Sequence, residues 1–125
     1  PTLADIRAGQ IMLQEIDLHV SKRDSFAFET TLSGRVYARM IPVWREKGFR
    51  VKLIYLCISD VRVALERIRT RVRQGGHDIP DDVVRRRYES GWRNFNTVYK
   101  PLVNSWILYD NSGNMPVLLD DGVNQ

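Results

Sequence analysis

The chain has 125 residues, 43% of them hydrophobic and 27% charged, which is the size and composition of one globular domain with enough apolar side chains for a core. Its formal net charge of +4 is concentrated, because residues 62–93 hold nine Arg against five Asp or Glu and the remainder is therefore neutral. The single cysteine, Cys57, excludes an internal disulfide and points to a reducing, cytoplasmic setting; the lack of a membrane-length apolar run or a signal-peptide pattern argues against membrane and secreted classes.

In chain order, Ile6, Ile11, Leu13, Ile16 and Val20 recur at roughly helical spacing, so Leu3 to about Val20 is predicted as a helix that SKRD interrupts. FAFETTL, from Phe26 to Leu32, is aromatic and β-branched and reads as a strand. The next helix takes Ser33 as its cap and ends at Gly48, with Pro42 implying a kink or a later start. VKLIYLCI, from Val51 to Ile58, is the nearly continuous apolar run of a parallel strand covered on both faces, and Ser59 or Asp60 can cap the helix that follows. That helix, Val61 to about Arg73, puts Val61, Ala64, Leu65, Ile68 and Val72 on one stripe. Gly75 and Gly76 break it, Pro80 fits the first turn of another helix running to Tyr99, and Asp81 and Asp82 favour its dipole. Pro101 ends that helix. Trp106 to Tyr109 is a short strand, and MPVLLDDG forms a final edge strand.

This order is the second half of a doubly wound nucleotide-binding domain, in which ligands sit at the carboxyl ends of the strands. The expected fold is α/β: one domain over residues 1–125, a partial P-loop NTPase-type three-layer α/β/α arrangement with a mainly parallel sheet and a helical lid. None of the eight glycines is followed by lysine, so the phosphate-cradling G-x-x-x-x-G-K-[ST] loop is absent from these residues.

Several side chains are singled out by type and position. Arginine matches phosphate or carboxylate bidentately, so the cluster in RVRQGGHDIPDDVVRRRY (71–88) suits anion recognition, although Arg62 and Arg69 are expected on a solvated face. The Gly pair serves a moving lid or a helix C-cap equally well. His77 has no partner of triad or metal spacing and is expected to fix the turn; no cluster of metal-ligand spacing occurs elsewhere. Glu29 and Thr31 alternate near the end of their predicted strand and share a face, as a ligand contact or as a satisfied polar pair. Asp110 is assigned to an Asx turn and Asn111 is left open between turn and ligand. Trp44, Trp92 and Trp106 are assigned to packing.

Taken together, FAFETTLSGR (26–35), RVRQGGHDIPDDVVRRRY (71–88) and SWILYDNSG (105–113) resemble the zeta-toxin-like P-loop kinases, in particular the bacterial branch described as predicted ATPase or AAA family proteins, over almost the whole chain. The resemblance implies an ATP-dependent small-molecule kinase whose acceptor is of the nucleotide-sugar type, as with UDP-N-acetylglucosamine for the zeta toxins. It implies that Glu29 and Thr31 contact the substrate, and that Arg71 and Arg87 are the lid arginines that neutralise charge during transfer. It leaves Arg73 and Arg86 as close competitors for the contact with the ATP phosphates, and puts Asn111 where a kinase contacts the adenine or ribose edge. ATP and Mg²⁺ are implied by the family alone and are not expected to bind tightly without the cradle.

The chain departs from the family in lacking the P-loop and the upstream acid that activates the acceptor. The expectation is therefore a carboxyl-terminal substrate-binding and lid portion, inactive in isolation. The first alternative is a non-catalytic descendant that binds a nucleotide-sugar or a protein, such as an antitoxin-like partner or a second copy in a homo-oligomer. Nucleic-acid binding ranks third, since Tyr88, Trp92 and Phe95 are predicted to face the core rather than offer stacking platforms.

Overall fold

A computed structural model describes residues 3–76 and 78–124. The order is α1 (Leu3–Lys22), α2 (Val36–Glu46), β1 (Lys52–Cys57), α3 (Val61–Arg73), α4 (Asp81–Asn94) with a π-helical continuation (Phe95–Tyr99), β2 (Ser105–Asp110) and β3 (Val117–Val123). The protein is α/β, and its described residues form four α-helices and a three-stranded sheet in the order β1-β2-β3.

The sheet is mixed rather than mainly parallel. β1 and β2 pair in parallel, Lys52 opposite Ser105 through Cys57 opposite Asp110, whereas β3 returns antiparallel on β2 with an irregularity between Leu108 and Tyr109. A parallel pair needs a crossover, and α3 with α4 supplies it. The final edge strand expected in MPVLLDDG is β3, and the short connection from β2 lets it return antiparallel.

Leu53, Tyr55 and Cys57 pack towards a core built from Ile16 and Val20 of α1, Ile41 and Trp44 of α2, and Phe95, Tyr99 and Val103. The alternate residues Ile54 and Leu56 are 55% and 51% exposed, so the expectation of a strand covered on both faces is corrected: helices cover one side of β1 only. The side chains at the centre of the core, Phe95, Tyr99 and Val103, are at most 1% exposed. Phe95 stacks on Tyr55 at 4.6 Å and meets Trp106 edge-on at 5.9 Å, which fixes the end of α4 to the sheet.

Local expectations divide instructively. Asp60 caps α3, its carboxylate accepting from the Arg62 backbone N–H at 2.8 Å. Pro80 precedes α4 rather than entering its first turn, and Pro42 lies within α2. Ser33 does not cap α2, which begins after Arg35 without a side-chain cap; its hydroxyl instead pairs with that of Thr31 at 2.8 Å. Gly75 adopts a φ of +89° and closes α3, its N–H bonding to the Val72 carbonyl, so the C-cap role is filled. His77 lies outside the described residues.

The clearest correction concerns Phe26 to Leu32, which forms no strand. Among the described residues no backbone group of this run bonds to another strand. A β-prone run becomes a strand only where a ladder partner is present, and here the nearest parallel run, β1, is separated from it by a cavity.

Candidate functional site

A trough of about 1220 Å³ separates the run Ser25–Leu32 from the run Lys47–Ile58, and each run contributes consecutive residues to its walls. Ile41 and Trp44 of α2 and Tyr99 and Val103 contribute to its lining from the core side. Ala64 of α3 and Val84, Arg87, Tyr88 and Trp92 of α4 also line it.

The two walls run in the same direction. Phe26 meets Phe49, just before β1, with ring centroids 6.0 Å apart. Five residues further along the first wall, a Cβ added at Gly91 would lie 2.5 Å from the Thr31 carbonyl oxygen and 3.0 Å from the Tyr55 hydroxyl, placing Thr31 near Tyr55. Only glycine lets α4 approach both walls this closely. The carboxyl end of the first wall is tied down by buried Asn94, whose amide donates to the Leu32 carbonyl at 2.8 Å, and by the Tyr99 hydroxyl, which donates to Gly34 at 2.8 Å. At the end of β1, the Tyr88 hydroxyl donates to the Ile58 carbonyl at 2.7 Å, so α4 braces both walls.

Of the residues proposed for the site, Glu29, Thr31 and Arg87 are among the residues that line this trough. The Thr31 hydroxyl shares a hydrogen bond with that of Ser33 at 2.8 Å, in which either can donate, and it also accepts from the Ser33 N–H at 3.3 Å. Arg71, Arg73 and Arg86 are not among the lining residues. Arg73 instead reaches Glu66 at 3.4 Å, and Arg69 bridges to Asp81 at 3.3 Å, clamping α3 to α4 across the glycine turn. Arg62 binds the Asp60 carboxylate at 2.6 Å, holding that carboxyl below its usual range. The solvated arginine face predicted for Arg62 and Arg69 is thus partly occupied by surface ion pairs. Asn111 sits beside the end of β1, donating its N–H to the Cys57 carbonyl at 2.7 Å, while its own carbonyl accepts from Arg67 at 2.5 Å. Asp110 makes the expected Asx turn, accepting from the Ser112 N–H and hydroxyl, which lower its carboxyl pKa.

Sequence reasoning missed Tyr55, Cys57 and Tyr88 as lining residues. Burial, followed by the proximity of Cys57 and Tyr88, pushes the Tyr55 phenol up to about 12. Burial also raises Cys57, with Asp110 adding to it, and raises Tyr88, with Asp60 adding to it. These three groups are neutral at physiological pH, so they offer apolar contact and hydrogen bonds rather than a nucleophile or base. Charge on the trough comes from Glu29, the one acidic residue of the lining, and from Arg23, Lys47, Arg50, Lys52 and Arg87. Trp92, assigned to packing, is 42% exposed and presents part of its ring to solvent beside Tyr55. The signal that could have revealed this region is Gly91, an isolated glycine inside an amphipathic helix, which commonly marks a close backbone approach.

Among the described residues there is no group of three or more His, Cys, Asp or Glu able to hold a metal ion, and no helix long and apolar enough to cross a membrane.

An uncharacterized protein of Haemophilus influenzae is 39% identical over 88 residues, which are 70% of this chain and 63% of the relative. The chain thus matches less than two thirds of that relative's length. No protein-family profile matches the chain. No solved structure matches it either.

Proposed function

We propose that this chain is the acceptor-binding and lid portion of a zeta-toxin-like ATP-dependent small-molecule kinase, with a nucleotide-sugar as the class of acceptor and a partial P-loop NTPase-type three-layer fold as its frame. The observation that carries this reading is that Glu29 and Thr31, on one run, and Arg87, far along the chain on α4, line one trough beside a parallel strand. In this reading Glu29 accepts hydrogen bonds from an acceptor hydroxyl or amide. Arg87 binds phosphate oxygens bidentately, and Tyr55 and Trp92 supply faces for a base or sugar ring. Thr31 joins them once its bond with Ser33 is exchanged for one to the ligand. Arg71, Arg73 and Arg86 stand on the α3–α4 hairpin, from which a lid movement would bring them over the phosphates.

ATP and Mg²⁺ do not fit the residues present. The arginines could neutralise phosphate charge, but there is no glycine-rich loop with its lysine to cradle it. The chain is therefore read as an acceptor-binding portion and not as a complete kinase.

Calorimetric titration with UDP-N-acetylglucosamine and, separately, Mg-ATP tests this. Saturable binding of the sugar nucleotide is expected, weakened roughly tenfold or more by Arg87→Ala, the cost of one charge-assisted contact. Glu29→Gln should also weaken it while leaving the thermal transition in place. A sugar nucleotide that fails to bind, or binds the Arg87→Ala variant equally well, would sink the reading.

A second reading, a non-catalytic binder acting as an oligomer, is favoured by the open edge of β1 and the half-exposed Ile54 and Leu56. It expects a dimer by sedimentation at micromolar concentration.

A further inference from the structure

We propose that the face of the sheet turned away from the core is a self-complementary interface, on which a second copy of this chain packs face to face about a two-fold axis. This rests on the oligomeric reading and gives that oligomer its surface, whereas the acceptor reading concerns the trough and is decided separately.

Side chains alternate along each strand, and residues paired across a ladder share a face. Leu53, Tyr55, Trp106 and Leu108 pack on the core, so the alternate residues form the opposite face. Its apolar residues are Ile54 and Leu56 of β1, Ile107 and Tyr109 of β2, and Leu118 and Val123 of β3. Ile54, Leu56, Leu118 and Val123 are each more than half exposed, so the helices that cross from β1 to β2 leave this face uncovered.

The charges on the face decide which partner fits. It carries one cation, Lys52, and one anion, Asp121, and among the described residues neither is in an ion pair within the chain. Lys52 lies on β1 in the row of Ser105 and Val123, and Asp121 lies on β3 in the next row, beside Ile107 and Ile54. β1 and β3 are the two outer strands. A two-fold axis lying in the interface along β2 therefore sets β1 of each copy over β3 of the other and keeps the rows level. Each Lys52 then meets the Asp121 of the second copy one row away, and the pairing occurs twice. A partner of one charge sign would leave one of the two groups unmatched, whereas a second copy matches both.

Area sets the strength. Three strands about 4.8 Å apart, with same-face side chains about 6.6 Å apart along each, give a flat patch of roughly 300 Å². Even with the relief of the side chains added, this falls short of the about 800 Å² per partner of standard interfaces. The dimer expected is a weak one, with a dissociation constant of roughly 10–100 µM. Lys52, Ile54 and Leu56 also border the trough, and the rest of its lining stays uncovered in such a dimer.

Sedimentation velocity from about 10 to 500 µM, with charge reversals at these two exposed positions, is the test. Lys52→Asp and Asp121→Lys each set like charges together twice, so each should raise the dimer dissociation constant roughly tenfold or more. Mixing the two variants should restore the dimer as a heterodimer, because one copy then brings only anions to the face and the other only cations. The double variant Lys52→Asp/Asp121→Lys should dimerise as the original chain does, which separates lost pairing from lost folding. A chain that stays monomeric throughout would overturn both this surface and the oligomeric reading. A dimer that the single reversals leave intact, or single variants that no mixing rescues, would overturn this surface alone. Asp121 is not among the residues lining the trough, so Asp121→Lys should bind UDP-N-acetylglucosamine as the original chain does. Binding by neither would overturn the acceptor reading and leave the interface standing.

Discussion

The two walls of the trough are held by different physics. β1 is secured through its main chain, six residues in register with β2, and by Phe95 stacked on Tyr55. The wall from Ser25 to Leu32 has no ladder and is held by side chains: Phe26 and Phe28 against Trp44, Asn94 on the Leu32 carbonyl and Tyr99 on Gly34. A ladder shares its load over many bonds, whereas a few anchors concentrate it. The β1 wall should therefore fail only with the whole sheet, and the other wall should loosen by itself.

The largest expected effect comes from breaking the β1 side. Phe95 is fully buried and touches Tyr55, Trp92 and Trp106, so Phe95→Ala should cost about 3–5 kcal/mol in urea unfolding, the range for deleting a buried aromatic ring. Unfolding should remain a single transition. A loss below about 1 kcal/mol would mean that the surrounding rings close over the gap, and that the sheet does not depend on this contact.

Breaking the other wall should cost less and change binding more. Asn94 is 3% exposed, and Asn94→Ala strands the Leu32 carbonyl without its donor, a penalty of about 1–3 kcal/mol. Amide exchange from Phe26 to Leu32 should then accelerate while that of β1 is unchanged. Under the proposed function, sugar-nucleotide affinity should fall with it, because Glu29 and Thr31 are positioned by the wall. Equal acceleration on both walls would erase the distinction between them.

The same contrast explains what could be read from the residues. VKLIYLCI and FAFETTL both have strand composition, and composition cannot say which run finds a partner. β1 met β2, while the other run faces the trough. The α3 cap at Asp60, the end of its helix at Gly75 and the turn at Asp110 were legible because each depends on a local hydrogen bond within a few residues. Glu29, Thr31 and Arg87 were singled out through a family resemblance, whereas the wall that carries Glu29 and Thr31 is set by Gly91 and Asn94, whose partners lie 36 to 62 residues away. The arginine cluster misled in part: Arg62, Arg69 and Arg73 meet carboxylates of their own hairpin, an outcome that charge counting cannot separate from phosphate binding.

The smallest effect expected is a pH dependence that reports on the β1 wall. Burial holds the Tyr55 phenol up at about 12 against an ordinary value near 10. A group whose folded-state pKa is raised contributes stability that is complete below its unfolded value and is lost as pH rises through the folded one. The chain should therefore keep its Tyr55 contribution up to about pH 10 and lose it progressively towards pH 12. Tyr88, Tyr99 and Cys57 are shifted in the same direction and add to the alkaline loss, so Tyr55→Phe should flatten the decline without abolishing it. Melting temperatures from pH 8 to pH 11.5 would show the difference, with the two proteins parallel at the neutral end and diverging above about pH 10. Parallel curves throughout would show that the phenol is hydrated in solution, and that the trough admits water as far as the face where Tyr55 meets Phe95.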